Sequence, residues 1–134
     1  MHNRGLLTRC VCVMVFTALL STSSFAEHRS TNGGVYTESQ ATAGKKVYET
    51  HCKFCHDDKF YAGVLQSWTG QPVSVLFETI LATMPENNPG MLFEDEVANV
   101  MAFIFSNYGY PAGDMALGET SDALADIVIE KLTR

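Results

Sequence analysis

The sequence predicts an all-α domain. Apolar residues recur at three- and four-residue spacing in several segments, proline and glycine stand at the ends of those segments, and no strand-like run is longer than Val128-Ile129. The chain has 134 residues, of which 46% are hydrophobic. This length and composition are typical of one soluble globular domain that follows a leader.

Four segments carry the helical pattern. The predicted helices span Ala41–His51, Pro72–Ala82, Phe93–Asn107 and Asp122–Ile127. Thr42 is the predicted N-cap of the first helix. Pro72 suits the first position of the second helix, where its missing N–H removes no helical hydrogen bond. Gly109 ends the third helix, and the stretches 57–70 and 84–91 are predicted to be irregular.

The N-terminal segment, residues 1–26, has the pattern of a secretory signal peptide. Arg4 and Arg9 precede a short apolar run, which is about half the length needed to span a bilayer. The small residues Ser24 and Ala26 then occupy the positions that a signal peptidase reads. We therefore expect cleavage after Ala26 and export to the periplasm, with an uncleaved membrane anchor as the alternative.

Cleavage at this site defines the predicted mature protein. Residues 27–40 are polar and contain glycine, so we expect a flexible N-terminal arm before a folded domain over residues 41–134. No other segment is long and apolar enough to cross a membrane, and no stable membrane insertion is expected after cleavage.

The predicted mature chain is strongly acidic. Loss of Arg4 and Arg9 reduces the nine basic residues to seven, against fifteen acidic ones, so the formal net charge moves from −6 to −8. This balance excludes a typical nucleic-acid-binding protein. A protein partner would present a basic patch or dock on a locally neutral face.

A C-x-x-C-H pattern at Cys52-Lys53-Phe54-Cys55-His56 carries the chemistry. This pattern is typical of covalent haem attachment. Two thiols three residues apart on a helical turn reach the two vinyl groups at one edge of a porphyrin. The next residue then lies over the macrocycle, where its imidazole binds iron. The sequence therefore predicts one haem c, bonded through Cys52 and Cys55, with His56 as an iron ligand.

Three other uses of the cysteine pair explain less of the pattern. A disulfide leaves the adjoining His56 unexplained. A thioredoxin-like dithiol requires an α/β pattern, which is missing. Zinc requires two more ligands at matching spacing, and the predicted mature chain offers only His28 and His51.

A second iron ligand must come from far along the chain. The candidates are the thioethers of Met84, Met91, Met101 and Met115, with His28 and His51 as less suitable ones. Met84 follows an amphipathic helix and precedes Pro85, so it stands in an extended loop that can present its sulfur to iron. Met91 lies in the same loop and is its competitor. Met101 and Met115 are interpreted as packing residues.

Aromatic residues after the motif are candidates for the haem pocket. Trp68, the only tryptophan, would cover the haem edge and donate its indole N–H to a propionate, or it would be a core residue. Phe60, Tyr61 and Phe77 are predicted to be pocket walls.

Residues 41–134 resemble the class I c-type cytochromes. The resemblance rests on AGKKVYETHCKFCH, on W-T-G at 68–70, on TMPENNPGMLFEDEVANVMAFIF and on NYGYPAG at 107–113. The last two segments resemble single-haem domains that serve quinoprotein dehydrogenases, such as those that oxidise alcohols. The resemblance implies a class I cytochrome c-like fold, with three to five helices packed around one covalently bound haem.

The resemblance also implies residue roles and exposes two departures. Gly44 and Tyr48 would cross the helix that contains Ala102 and Phe103, and Met84 would be the second iron ligand. The family usually has glycine where Asp57 follows the haem histidine. No proline lies between His56 and Pro72, although such a proline carbonyl often holds the Nδ1–H of the haem histidine.

These features predict an electron carrier in the periplasm, not an enzyme. His56 and Met84 would fill both axial positions of the iron. The electron donor would be a dehydrogenase, such as a quinoprotein dehydrogenase. The acceptor would be a respiratory protein, such as a terminal oxidase or another cytochrome. The alternatives are a five-coordinate haem protein that binds a gas or peroxide, and a haem-containing subunit of a dehydrogenase complex.

Overall fold

A computed structural model of the chain describes residues 29–57 and 60–133. Within these ranges the chain forms five α-helices, a 3-10 turn and two short strands, so the predicted all-α class is confirmed. In chain order, the elements are β1 (Arg29–Ser30), the 3-10 turn (Thr31–Gly33), α1 (Glu38–His51), α2 (Phe60–Ser67), α3 (Val73–Thr83), α4 (Glu94–Tyr108), α5 (Ser121–Leu124) and β2 (Ile127–Val128). The predicted signal peptide and its cleavage site lie outside the described residues.

The start of α1 differs from the prediction. Thr37, not Thr42, is the N-cap, and its hydroxyl accepts a hydrogen bond from the backbone N–H of Gln40 at 3.3 Å. Threonine followed three residues later by glutamine is a known signal for a helix start. The predicted start at Ala41 was therefore wrong, because it overlooked this local pattern in favour of the apolar period.

The helices α3 and α4 lie within one residue of their predicted bounds. Pro72 immediately precedes α3 in an extended conformation and supplies its N-cap. The N–H of Phe93 donates to the Glu96 carboxylate at 2.9 Å, which closes the first turn of α4. Gly109 ends α4 with a φ of 105°, a left-handed conformation that glycine adopts readily.

Helix α2 contradicts the expectation that residues 57–70 are irregular. Its first residue, Phe60, donates its backbone N–H to both the carboxylate and the carbonyl of Asp57, at 2.9 and 3.1 Å. The helix is short, contains Gly63 and buries only Leu65 fully. A single buried position gives no helical period, which explains why the sequence pattern did not show it.

Residues 29–40 are packed into the domain, so the expectation of a flexible arm is wrong for this segment. Thr31, Val35 and Tyr36 are buried. Strand β1, near the start of the described chain, pairs in parallel with β2, near its end. The strands have two residues each, and their partners are remote in sequence. A pairing this short leaves no readable alternation.

Helices α1 and α4 cross closely, as the family resemblance implied. A Cβ added to Gly44 would lie 1.7 Å from the carbonyl oxygen of Asn99, so only glycine permits this distance between the two backbones. One turn later, the rings of Tyr48 and Phe103 pack at 5.0 Å between centroids. This crossing therefore explains a glycine inside a helix, where it otherwise costs about 1 kcal/mol relative to alanine.

The core lies between α4 and the elements that surround it. Val97, Val100, Met101 and Phe105 of α4 are fully buried, and the interpretation of Met101 as core filling is confirmed. In the part of the chain that the structure describes, no helix combines the length and apolar character required to cross a bilayer.

Candidate functional site

The C-x-x-C-H motif forms a turn that extends the C-terminal end of α1. The N–H groups of Cys52 and Lys53 both donate to the carbonyl of Tyr48, each at 2.9 Å. The N–H groups of Cys55 and His56 then donate to the carbonyl of Cys52, at 3.1 and 3.0 Å. Both thiols and the imidazole therefore stand on one turn with helix-like hydrogen bonding.

The two cysteines have different surroundings. Cys52 is half-buried and packs against the core, whereas Cys55 is exposed and Phe54 between them is fully exposed. Burial raises the pKa of the Cys52 thiol to about 11. Redox-active cysteine pairs have lowered thiol pKa values, because the thiolate is the reactive form. The Cys52 thiol is therefore mostly protonated near neutral pH and is a poor nucleophile.

The imidazole of His56 is held by aromatic rings. Its centroid lies 4.2 Å from that of Phe60 and 5.8 Å from that of Tyr61, two residues that the sequence predicted as pocket walls. The third predicted wall, Phe77, is buried in the core. The rings of Phe60 and Tyr61 therefore cover part of the imidazole and leave it few orientations.

The Nδ1 atom of His56 is buried and has no hydrogen-bond partner among the described residues. Histidines that bind metals usually donate this N–H to a carboxylate, a carbonyl or water. The sequence already lacked the proline whose carbonyl often fills this role. Among the described residues, the contacts to His56 are made instead to its ring and to its backbone carbonyl.

Tyr48 provides a contact to the backbone of His56. Its hydroxyl donates to the carbonyl oxygen of His56. The Tyr48 side chain is 2% exposed, and its ring packs against Tyr61 at 5.7 Å and against Phe103 at 5.0 Å. The peptide that follows the imidazole is therefore tied to α1, and through the Tyr48 ring to α2 and α4.

The sequence did not reveal this use of the Tyr48 hydroxyl. It placed Tyr48 only at the helix crossing, where phenylalanine would pack equally well. The available signal was the choice of tyrosine at a buried position, because a buried phenol hydroxyl normally has a hydrogen-bond partner. Burial also raises the pKa of the neighbouring Tyr61, so that hydroxyl stays neutral.

The two methionine candidates lie at the ends of the loop after α3. Met84 directly follows α3, is partly buried, and donates its N–H to the carbonyl of Ile80 at 2.9 Å. Met91 is 38% exposed and donates its N–H to the carbonyl of Asn88 at 3.3 Å. Met84 is thus the more buried of the two and is fixed to the end of a helix.

Trp68 lies in the turn that follows α2. It is partly buried and packs against the core, and its backbone N–H donates to the carbonyl of Val64 at 3.0 Å. Partial burial is compatible with either of its predicted roles. Trp68 and Met84 therefore stand on different elements from the C-x-x-C-H turn.

Two cavities lie near these elements. One, of about 650 Å³, is lined by side chains of α3, α4 and the loops beside them and includes none of the predicted site residues. The other, of about 230 Å³, is beside the motif. It is lined by Lys45, Tyr48, Glu49, Lys53, Phe103 and Asn107.

The turn offers two thiols and one imidazole as donors. Within the described residues, no three or more His, Cys, Asp or Glu side chains form a group that could hold an ion, and Cys52, Cys55 and His56 are no exception. Donors that do not converge can still bind separate atoms of one large planar ligand. The thiols would bind its edge, and the imidazole would bind its central metal.

Comparison with known proteins adds no relative. No family model, no curated protein and no solved structure matches this chain.

Proposed function

We propose that this protein is a class I c-type cytochrome that carries single electrons in the periplasm. The observation that carries the proposal is the C-x-x-C-H turn, in which Cys52, Cys55 and His56 share one helix-like turn at the end of α1. A haem bound there would supply a one-electron iron couple. The all-α class of the described chain supports the proposal, because the class I fold that the resemblance implies is helical.

Each residue of the proposed site has a separate task. The sulfurs of Cys52 and Cys55 would form thioether bonds to the vinyl groups, which makes attachment permanent. His56 would bind the iron through Nε2, since Nδ1 is buried among protein atoms. Met84 would bind the opposite face with a soft sulfur, which favours Fe(II) and raises the potential.

Two axial ligands favour electron transfer over catalysis at the iron. When His56 and Met84 occupy both faces, a substrate has no coordination position to enter. Little atomic movement then accompanies oxidation and reduction. A dehydrogenase, such as a quinoprotein dehydrogenase, would be the donor, and a terminal oxidase or another cytochrome would be the acceptor. The acidic predicted mature chain would favour partners with basic docking surfaces.

The first test is the colour and mass of the exported protein. The full chain should be produced in a bacterial host that matures c-type cytochromes, and the periplasmic product should be red. Its mass should equal the polypeptide from Glu27 onward plus one haem. The double variant Cys52→Ala/Cys55→Ala is the control and should carry no covalent haem. A colourless wild-type product with the mass of the bare polypeptide would refute the proposal.

A pair of methionine variants tests the second ligand. Met84→Ala should retain the covalent haem, lose the sulfur-to-iron charge-transfer band, bind carbon monoxide when reduced and have a lower midpoint potential. Met91→Ala, a change of the same size in the same loop, should retain the wild-type spectrum and potential. If Met91→Ala causes these changes and Met84→Ala does not, Met91 is the second iron ligand. Carbon monoxide binding by the reduced wild-type protein would favour the five-coordinate alternative.

A further inference from the structure

Within the described residues, His56 lacks the usual contact that orients a metal-binding imidazole. Its Nδ1 is buried with no partner among the described residues. An imidazole without this hydrogen bond can turn about its side-chain bonds unless other contacts prevent it. The orienting contacts must then act on the backbone of His56 or on the faces of its ring.

We propose that the Tyr48 hydroxyl is the group that positions His56 at the haem. This inference rests on the proposed function. The hydroxyl donates to the carbonyl oxygen of His56, so it fixes the peptide plane next to the ligand. Tyr48 would therefore be a positioning residue, because its contact acts on the imidazole through the backbone carbonyl of His56.

The Tyr48 hydroxyl is itself held in place. The side chain is 2% exposed, and its ring lies between Tyr61 of α2 and Phe103 of α4. It stands one helical turn after Gly44, where α1 and α4 approach most closely. The hydrogen bond therefore connects the C-x-x-C-H turn to the crossing of α1 and α4.

Phe60 completes the restraint from the side of the ring. Its centroid lies 4.2 Å from that of the His56 imidazole, with 33° between the planes. A histidine side chain has two rotatable bonds. Fixing the carbonyl limits the backbone, and a ring on one face limits the rotation of the imidazole. Together the two contacts replace the missing Nδ1 hydrogen bond.

The test is Tyr48→Phe, which removes the hydroxyl and retains the ring in the helix crossing. Tyr36→Phe is the matched control, because the Tyr36 hydroxyl is equally buried and donates to the carbonyl of Tyr110 at 2.6 Å, away from the motif. Each change removes the hydrogen bond from a buried tyrosine to a backbone carbonyl. Both variants should therefore lose thermal stability.

Only Tyr48→Phe should alter the haem spectrum. Electron paramagnetic resonance of the oxidised protein reports the orientation of the axial ligands. We expect the ratio of a second low-spin form to the main form to rise about fivefold in Tyr48→Phe, the factor that corresponds to one ordinary hydrogen bond. Tyr36→Phe should retain the wild-type signal. An unchanged Tyr48→Phe signal, or an equal change in Tyr36→Phe, would overturn the inference.

A measurement on the wild-type protein keeps the inference testable if Tyr48→Phe does not mature. The Tyr48 hydroxyl proton should exchange slowly with solvent and show a magnetic contact to the peptide after His56 in nuclear magnetic resonance spectra. Rapid exchange of that proton would overturn the inference. A wild-type protein without haem would refute the proposed function as well, whereas a haem-bearing wild type with an exchanging hydroxyl overturns the inference alone.

Discussion

Gln40 is a buried polar side chain that joins two distant parts of the chain. It is 7% exposed, its Nε2 donates to the carbonyl of Leu117 at 3.0 Å, and its Oε1 accepts from the N–H of Leu117 at 2.8 Å. The amide therefore satisfies both backbone groups of one residue, as a neighbouring strand would. This pairing ties the first turn of α1 to the segment between α4 and α5.

Gln40→Met should destabilise the protein by about 3 kcal/mol, because it leaves the buried N–H and carbonyl of Leu117 without partners. Urea denaturation of the protein measures this change in the free energy of unfolding. Gln66→Met is the control, since Gln66 has the same size and lies exposed on α2. A Gln40→Met protein as stable as the control would show that water forms the hydrogen bonds to the backbone N–H and carbonyl of Leu117.

At the scale of elements, the crossing of α1 and α4 depends on the absence of one methyl group. A Cβ on Gly44 would lie 1.7 Å from the Asn99 oxygen and 2.3 Å from the Asn99 carbonyl carbon. Both atoms belong to backbone inside α4, so no side-chain rotation relieves the clash. The two helices must separate if this position carries any side chain.

Gly44→Ala should therefore destabilise the protein by about 3 kcal/mol or more, although alanine favours helices. Gly63→Ala is the matched control in α2, where an added Cβ meets nothing within 4 Å. There the same substitution should leave stability unchanged or raise it by about 0.5–1 kcal/mol. Thermal and urea unfolding of both variants test the pair. A neutral Gly44→Ala would contradict the close crossing.

The sequence predicted elements whose signals are local. Pro72 and Gly109 mark the start of α3 and the end of α4 by their own backbone restrictions, and both bounds agree with the structure to one residue. The start of α1 was missed because its signal lies at Thr37, outside the apolar period. Helix α2 was missed because it buries only one residue fully, Leu65.

The candidate site was predictable to the extent that it is contiguous. Cys52, Cys55 and His56 are neighbours in sequence, so the pattern alone placed them on one turn. The contact from Tyr48 to the His56 carbonyl depends on how the chain leaves α1, and the packing of Phe60 on the imidazole depends on α2. Contacts of this kind arise from tertiary structure, which a pattern of residue types does not encode locally.

At the scale of the whole molecule, the last described segment closes the domain. The backbone of Ile129 pairs with the turn before α3, donating to Gln71 at 2.9 Å and accepting from Gly70 at 2.7 Å. The N–H of Glu130 donates to the hydroxyl of Thr31, and its carbonyl accepts from the hydroxyl of Tyr110. Residues near both ends of the described chain are thereby held against the core.

Ile129 is the apolar anchor of this closure, because its side chain is fully buried. Ile129→Ala should lower the free energy of unfolding by about 2–5 kcal/mol, the range for deleting a buried isoleucine side chain. Lys131→Ala, two residues later and exposed, should change it by less than about 0.5 kcal/mol. In Ile129→Ala, amide hydrogens at residues 29–31 and 70–71 should lose protection from exchange, as should those near the substituted residue. Protection that falls only near residue 129 would mean that the two ends of the domain are stabilised separately.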